Sequence, residues 1–229
     1  MPQDKPSPRL PQPLLLQLDE STGNLELFPA VWSAVEDFIL CEADSCDDPL
    51  DKLIELNAPR LSPVVAYLLA TRLSDPNLKV RTRIAQIIAG VLTPDDAGNP
   101  APTAVRNSLN LVLAQIRTRQ VFAILQISAS NMEMEDVVAR ILDLCPYAGH
   151  HLVDILGDHH VTLPIRAQAA RLIGRVGYLD ALPGLEKLAG KIEARNNGQK
   201  EMPFGPLPAV YELELIDSIR QAIRLLKAP

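Results

Sequence analysis

Aromatic residues are scarce in this chain: Phe, Trp and Tyr together make up 4% of its 229 residues. With so few aromatic strand formers, a mostly β architecture is excluded. Cysteine is scarce too. Cys41, Cys46 and Cys145 are an odd, sparse set, which is no disulfide framework and fits a reducing compartment. No apolar run reaches the roughly 18 residues that a membrane span needs. The chain opens Met-Pro-Gln-Asp-Lys-Pro-Ser-Pro, without the basic head and apolar stretch of a signal peptide, so a cytoplasmic location is expected. A basic excess is also missing. The formal net charge is −6, whereas a general nucleic-acid binder usually carries a strong positive balance. Neither nucleic acid nor a membrane is the expected partner.

What is abundant is aliphatic. Hydrophobic residues make up 47% of the chain, mostly Leu, Ile, Val and Ala, which suits helix-on-helix packing. Charge is unevenly placed. Residues 1–58 carry 3 Lys/Arg against 12 Asp/Glu, and residues 59–177 carry 12 against 9. An acidic start precedes a mildly basic middle, so an anionic partner, or the chain's own acidic end, is the natural complement of the middle.

Three regions follow. Residues 1–13 hold Pro2, Pro6, Pro8, Pro11 and Pro13 and read as a disordered tail, with Pro8 to Pro11 a string that polyproline-reading domains can dock. Residues 14–58 form an acidic extension. In it, 14–18 and 25–28 could pair as a short hairpin around Thr22-Gly23-Asn24, with helices after Pro29. Residues 59–229 show helical periodicity throughout. Helices are predicted over 61–73, 79–92, 103–116, 117–128, 134–144, 147–156, 164–176, 179–194 and 208–226. The long loop 196–208 carries two apolar residues, Met202 and Phe204, which makes it a secondary binding candidate.

An internal repeat organises this region. Residues 75–90 are echoed by 158–174, with Arg81 matching Arg166 at an offset of 85. Val80 then pairs with Ile165, Ala85 with Ala170, Ile87 with Leu172 and Ile88 with Ile173. The Asp (Asp75, Asp158), the aliphatic-Arg pair, and the following Ala and aliphatic pair resemble HEAT repeats. The run from Val176 through Asp180 and Pro183 to Leu188 is similar to the turn between bacterial HEAT units. The resemblance implies an α-solenoid of four to five stacked hairpins. In it Asp75 and Asp158 cap helices, and Arg81 and Arg166 tie the stack. It says little about chemistry.

Under the same offset Arg83 matches Gln168, Gln86 matches Arg171 and Gly90 matches Arg175. Stacked, these would merge into a concave strip of Arg83, Gln86, Gln168, Arg171 and Arg175, extended by Arg119 and Gln120. Such a strip suits a carboxylate-bearing protein. The function expected is a protein-interaction scaffold, not an enzyme, and its partner another protein with an acidic segment. Homo-oligomerisation is left open. The alternative is a bilin lyase-like or other HEAT-based enzyme or accessory protein. His151, Asp154 and Asp158 share one helix face and could ligate zinc or iron. A polar outer helix running into an inter-helix loop accounts for them without a metal, and no cofactor is expected. Cys41 and Cys46 lack a second pair, which argues against structural zinc.

Overall fold

A computed structural model of the chain describes residues 28–41, 45–201 and 210–228, and all of its regular structure there is helical. The proline-rich tail, the hairpin at 14–27, Met202 and Phe204 lie outside the described residues. Phe28, assigned above to that hairpin, instead opens the first helix. Twelve helices follow: α1 Phe28–Leu40, α2 Asp47–Glu55, α3 Ala58–Leu61, α4 Pro63–Thr71, α5 Leu78–Leu92, α6 Thr103–Leu113, α7 Thr118–Ser130, α8 Glu135–Asp143, α9 Ala148–Gly157, α10 Leu163–Val176, α11 Leu182–Glu201 and α12 Val210–Lys227. No helix among the described residues is long and apolar enough to cross a membrane.

Local chemistry sets the boundaries, and it corrects several expectations. The helix expected over 61–73 is broken at Ser62. Its backbone is extended and its Oγ accepts from the Val65 N–H at 3.3 Å, and Pro63 stands at the first helical position, where its missing N–H costs nothing. Asp47 to Pro49, where the sequence pattern puts a break after the first helix, instead make the first turn of α2. Asp47 and Asp48 sit there because carboxylates are favoured at a helix N-terminus. The first part of the loop expected at 196–208 is helical instead, since α11 continues through Glu201.

The two repeat aspartates do not cap the N-termini of α5 and α10, where Asn77 and Thr162 stand instead. Asn77 caps α5, accepting from the Lys79 N–H at 2.8 Å and the Val80 N–H at 3.4 Å. Asp75 sits two residues earlier and accepts from the Asn77 N–H at 2.9 Å, while its other oxygen takes Arg72. Asp158 makes the same turn with the His160 N–H at 2.8 Å. A short side chain bonding its own backbone two residues on is a turn device, not a cap.

The cysteine expectation is corrected as well. Cys41 and Cys46 form a disulfide, their Cα atoms 5.2 Å apart across the α1–α2 turn. A formed bridge is what an oxidising environment permits, so these cysteines do not argue for a reducing one. Cys145 is a buried thiol.

Packing follows the order of the chain. Helices α4 and α5, α7 and α8, α9 and α10, and α11 and α12 pair as neighbours. Contacts then run from α5 to α8, α10 and α12 in one row, and from α7 to α9 and α11 in another. Helix α6 packs on α4. The pair α1–α2 joins the start of this arrangement. Arg72 donates Nη1 to the Phe38 carbonyl at 3.1 Å and lies over the Phe38 ring. Lys79 and Arg83 of α5 pair with Asp47 and Asp51 of α2. One continuous apolar cluster extends from Val31 to Leu226. Each hairpin is apolar on both flanks, so only stacking removes that area from water, at about 25 cal/mol per Å².

Candidate binding surface

The row α5–α8–α10–α12 carries most of the residues singled out for binding. At its start, a groove of about 320 Å³ between α2–α3 and α5 is lined by Ile54, Arg60, Arg83, Gln86 and Gly90. Arg83 is already engaged there, its Nη2 2.7 Å from Asp51 Oδ1. Gln86 is exposed and reaches the Met134 sulfur at 3.6 Å.

Further along, α10 meets the start of α8. Gln168, expected to face solvent, is 1% exposed. Its Nε2 donates to Glu135 Oε2 at 3.0 Å, and a buried amide needs such a partner. It serves the packing and cannot be a docking residue. Arg175 donates Nη1 to Glu135 Oε1 at 2.9 Å and Nη2 to Asp136. Arg171 differs. Its Nη1 meets the Met132 sulfur at 3.5 Å and Gln168 Oε1 at 3.4 Å. No carboxylate among the described residues pairs with it. A thioether is a weak acceptor, so Arg171 keeps most of its five donors free.

These side chains border a groove of about 610 Å³ among the start of α8, α10 and α12, lined by Met132, Arg171, Gly174, Ser218 and Leu225. Met132 and Leu225 are 53% and 51% exposed. The groove thus combines two exposed apolar side chains with one guanidinium that no carboxylate among the described residues holds. Met132, Leu225 and Glu135 were missed in the sequence. The Met-Glu-Met run at 132–134 after Asn131 was the available signal, since exposed Met side chains adapt to varied surfaces.

Arg119 and Gln120 do not join this row. They lie on the first turn of α7, in the other row, where Gln120 Oε1 accepts the Arg117 N–H at 2.7 Å. The side chain closes a helix end. The histidine face is not assembled into a cluster. His151 Nδ1 lies 2.9 Å from Thr118 Oγ1, and His150 faces Asp180 at 3.4 Å. Among the described residues no group of three His, Cys, Asp or Glu side chains converges as a metal site would require.

Buried polar groups elsewhere hold the hairpins together. Tyr178 donates its hydroxyl to the Leu142 carbonyl, and the Cys145 carbonyl lies 3.2 Å away. Arg166 donates Nε to the Leu156 carbonyl at 2.8 Å. Arg81, 7% exposed, donates Nη2 to Gln126 at 3.0 Å and leaves its Nε without a partner.

Compared with known proteins, the chain matches no family model, no curated protein and no solved structure.

Proposed function

We propose that this chain is an interaction scaffold of the stacked-hairpin, HEAT-like kind, and that it binds a segment of another protein along the α8–α10–α12 side of the row. The observation that carries the reading is Arg171, an uncommitted guanidinium that lines the 610 Å³ groove together with exposed Met132 and Leu225. Two further points support it. The pairing of consecutive hairpins is the arrangement that HEAT-like stacking requires, and rigid helices present side chains to a partner at little entropic cost.

The partner this groove fits is narrower than a broadly acidic segment. Asp51, Glu135 and Asp136 already neutralise Arg83 and Arg175. One carboxylate is left to be bound at Arg171, next to apolar side chains that would cover Met132 and Leu225. The apolar part sets most of the affinity, and the ion pair sets orientation and association rate.

The test compares partner capture by the wild-type protein, by Arg171→Glu and by Leu225→Glu, with Arg220→Glu as a control, since Arg220 does not line the groove and bonds Glu193 of α11 instead. A partner held by the wild type and the control, and lost by both groove variants, supports the reading. A partner held equally by all four moves the site away from this groove.

A further inference from the structure

The turn between α1 and α2 is closed by the chain's single disulfide, Cys41 to Cys46, residues five apart in sequence. A disulfide stabilises more as the loop it closes lengthens, so a loop this short gains little from being closed. The two helices it joins are also held by other means. Val31, Ala34, Val35 and Phe38 of α1 are buried. Lys52 of α2 pairs with Asp37 of α1, and Arg72 holds the Phe38 carbonyl. The hairpin thus stands on packing and polar contacts as well as on the bridge.

Both redox states fit this place. Cys46 is 1% exposed and lies within the apolar cluster, where a protonated thiol behaves as a small hydrophobe. Cys41 is half-buried, so a thiolate from solvent can reach its sulfur. That sulfur lies 3.1 Å from the Phe38 carbonyl oxygen. In the bridge it has no proton to give. Once reduced, its S–H donates to that oxygen, which has a second lone pair for Arg72. The Cys145 thiol makes the same kind of bond, donating to the Ile141 carbonyl at 3.2 Å. What reduction changes is α2. Cys46 is its N-cap, so the bridge fixes the helix at its start. Further along, Asp47 and Asp51 reach Lys79 and Arg83 of α5, as exposed ion pairs that hold weakly. Ile54 of α2 lines the 320 Å³ groove together with Arg83 and Gln86.

We propose that Cys41 and Cys46 form a reversible thiol–disulfide switch that sets how firmly α2 sits on α5, and with it the availability of Arg83 in the groove at the start of the row. The reductant is a small thiol. Its thiolate attacks the accessible Cys41 sulfur. A new S–S bond forms there, the Cys41–Cys46 bond breaks, and Cys46 leaves as a thiolate that takes a proton. A second small thiolate then attacks the outer sulfur of this mixed disulfide. Cys41 is released as a thiolate and is protonated in turn. Two small thiols have become one small disulfide, and the protein disulfide has become two thiols. The reverse exchange restores the bridge. Bridged, α2 is fixed and Asp51 neutralises Arg83. Reduced, α2 moves more freely and Arg83 is exposed to a partner for more of the time. The switch is separate from the Arg171 groove and does not depend on the partner proposed there.

The experiment equilibrates the full-length native chain in mixtures of reduced and oxidised glutathione, blocks thiols with a maleimide, and weighs the intact protein. Cys41 and Cys46 should gain their labels together as the mixture becomes more reducing, while buried Cys145 stays unlabelled. Returning the protein to oxidised glutathione should restore the bridge. Hydrogen exchange on the same samples reads the consequence. Amides of α2 should exchange about tenfold faster or more in the reduced protein, as a local opening produces, while α9 and α10 keep their rates. The double variant Cys41→Ser/Cys46→Ser should match the reduced wild type in every mixture. A bridge that withstands reduced glutathione until the chain is unfolded is a structural one and would overturn the proposal. Thiols that stay unpaired in fully oxidised glutathione would overturn it too. So would reversible reduction with unchanged exchange in α2, or reduction that unfolds the whole chain by circular dichroism. The wild-type protein decides each of these outcomes, so none depends on how well the variant folds.

Discussion

A Cβ atom placed on Gly174 would stand 2.8 Å from the Cα of Ala222, so α10 and α12 touch backbone to backbone at that point. Backbone cannot rotate aside as a flexible side chain can. Gly174→Ala should therefore push α12 away, destabilising the protein by about 1–3 kcal/mol, the usual range for overpacking. It should also distort the Arg171 groove, which Gly174 helps to line. Urea denaturation measures the first effect. Unchanged stability would mean that the two helices slide apart without loss.

Arg171 and Arg175 should separate by their partners. Arg171→Glu, with no carboxylate beside it in the wild type, should change stability by no more than about 0.5 kcal/mol. Arg175→Glu sets a third carboxylate against Glu135 and Asp136 and should destabilise by roughly 1 kcal/mol, more at low salt. Thermal melts at low and high salt compare the two. Equal melting temperatures for both variants at low salt would contradict the pairing described here.

Alkaline pH should weaken the fold. Burial pushes the Cys145 thiol from its ordinary 9.0 up to about 12, with Asp143 adding to the shift. The Tyr178 phenol is also pushed up, by burial first and then by the Cys145, Asp143 and Asp180 charges. Both groups hold their protons more tightly folded than unfolded. Their contribution is whole below about pH 9 and is lost as pH rises toward the folded values, by at most about 1.4 kcal/mol per pH unit per group. Stability measured from pH 8 to 11 should fall from about pH 9. In Cys145→Ala the onset should move to about pH 10, where unfolded tyrosine ionises. An unchanged onset would show that Cys145 is not the first group lost.

Helix starts should respond unequally. Asn77→Ala removes the cap that serves Lys79 and Val80 and should cost about 1 kcal/mol. Thr162→Ala removes a side chain that makes no capping bond and should cost only a few tenths. Chemical denaturation makes the comparison, and a larger loss for Thr162→Ala would reverse the assignment.

Much of the helical layout was legible because helix periodicity is written in local apolar spacing. Val80, Ile84 and Ile88 on α5, and Ala169, Leu172 and Ile173 on α10, are buried as their spacing requires. The break at Ser62 was missed because a serine and a proline inside an apolar run are ambiguous until the chain turns there. The capping aspartates were misread for a related reason. Asp75 and Asn77 are both capping residue types, and only the backbone angles decide which of them stands at the helix start.

The binding surface divides the same way. That Arg83, Arg171 and Arg175 occupy matching or neighbouring positions on α5 and α10 followed from the repeat offset, because a helix places residues by spacing alone. Which of them remains free did not. Asp51 lies 32 residues from Arg83, and Glu135 lies 40 from Arg175. Coulomb attraction depends on distance in space, so only the docking of α2 on α5 and of α8 on α10 decides which cations are neutralised. Burial of Gln168 and the orphaned Nε of Arg81 have the same origin, since both arise from what a neighbouring helix brings near.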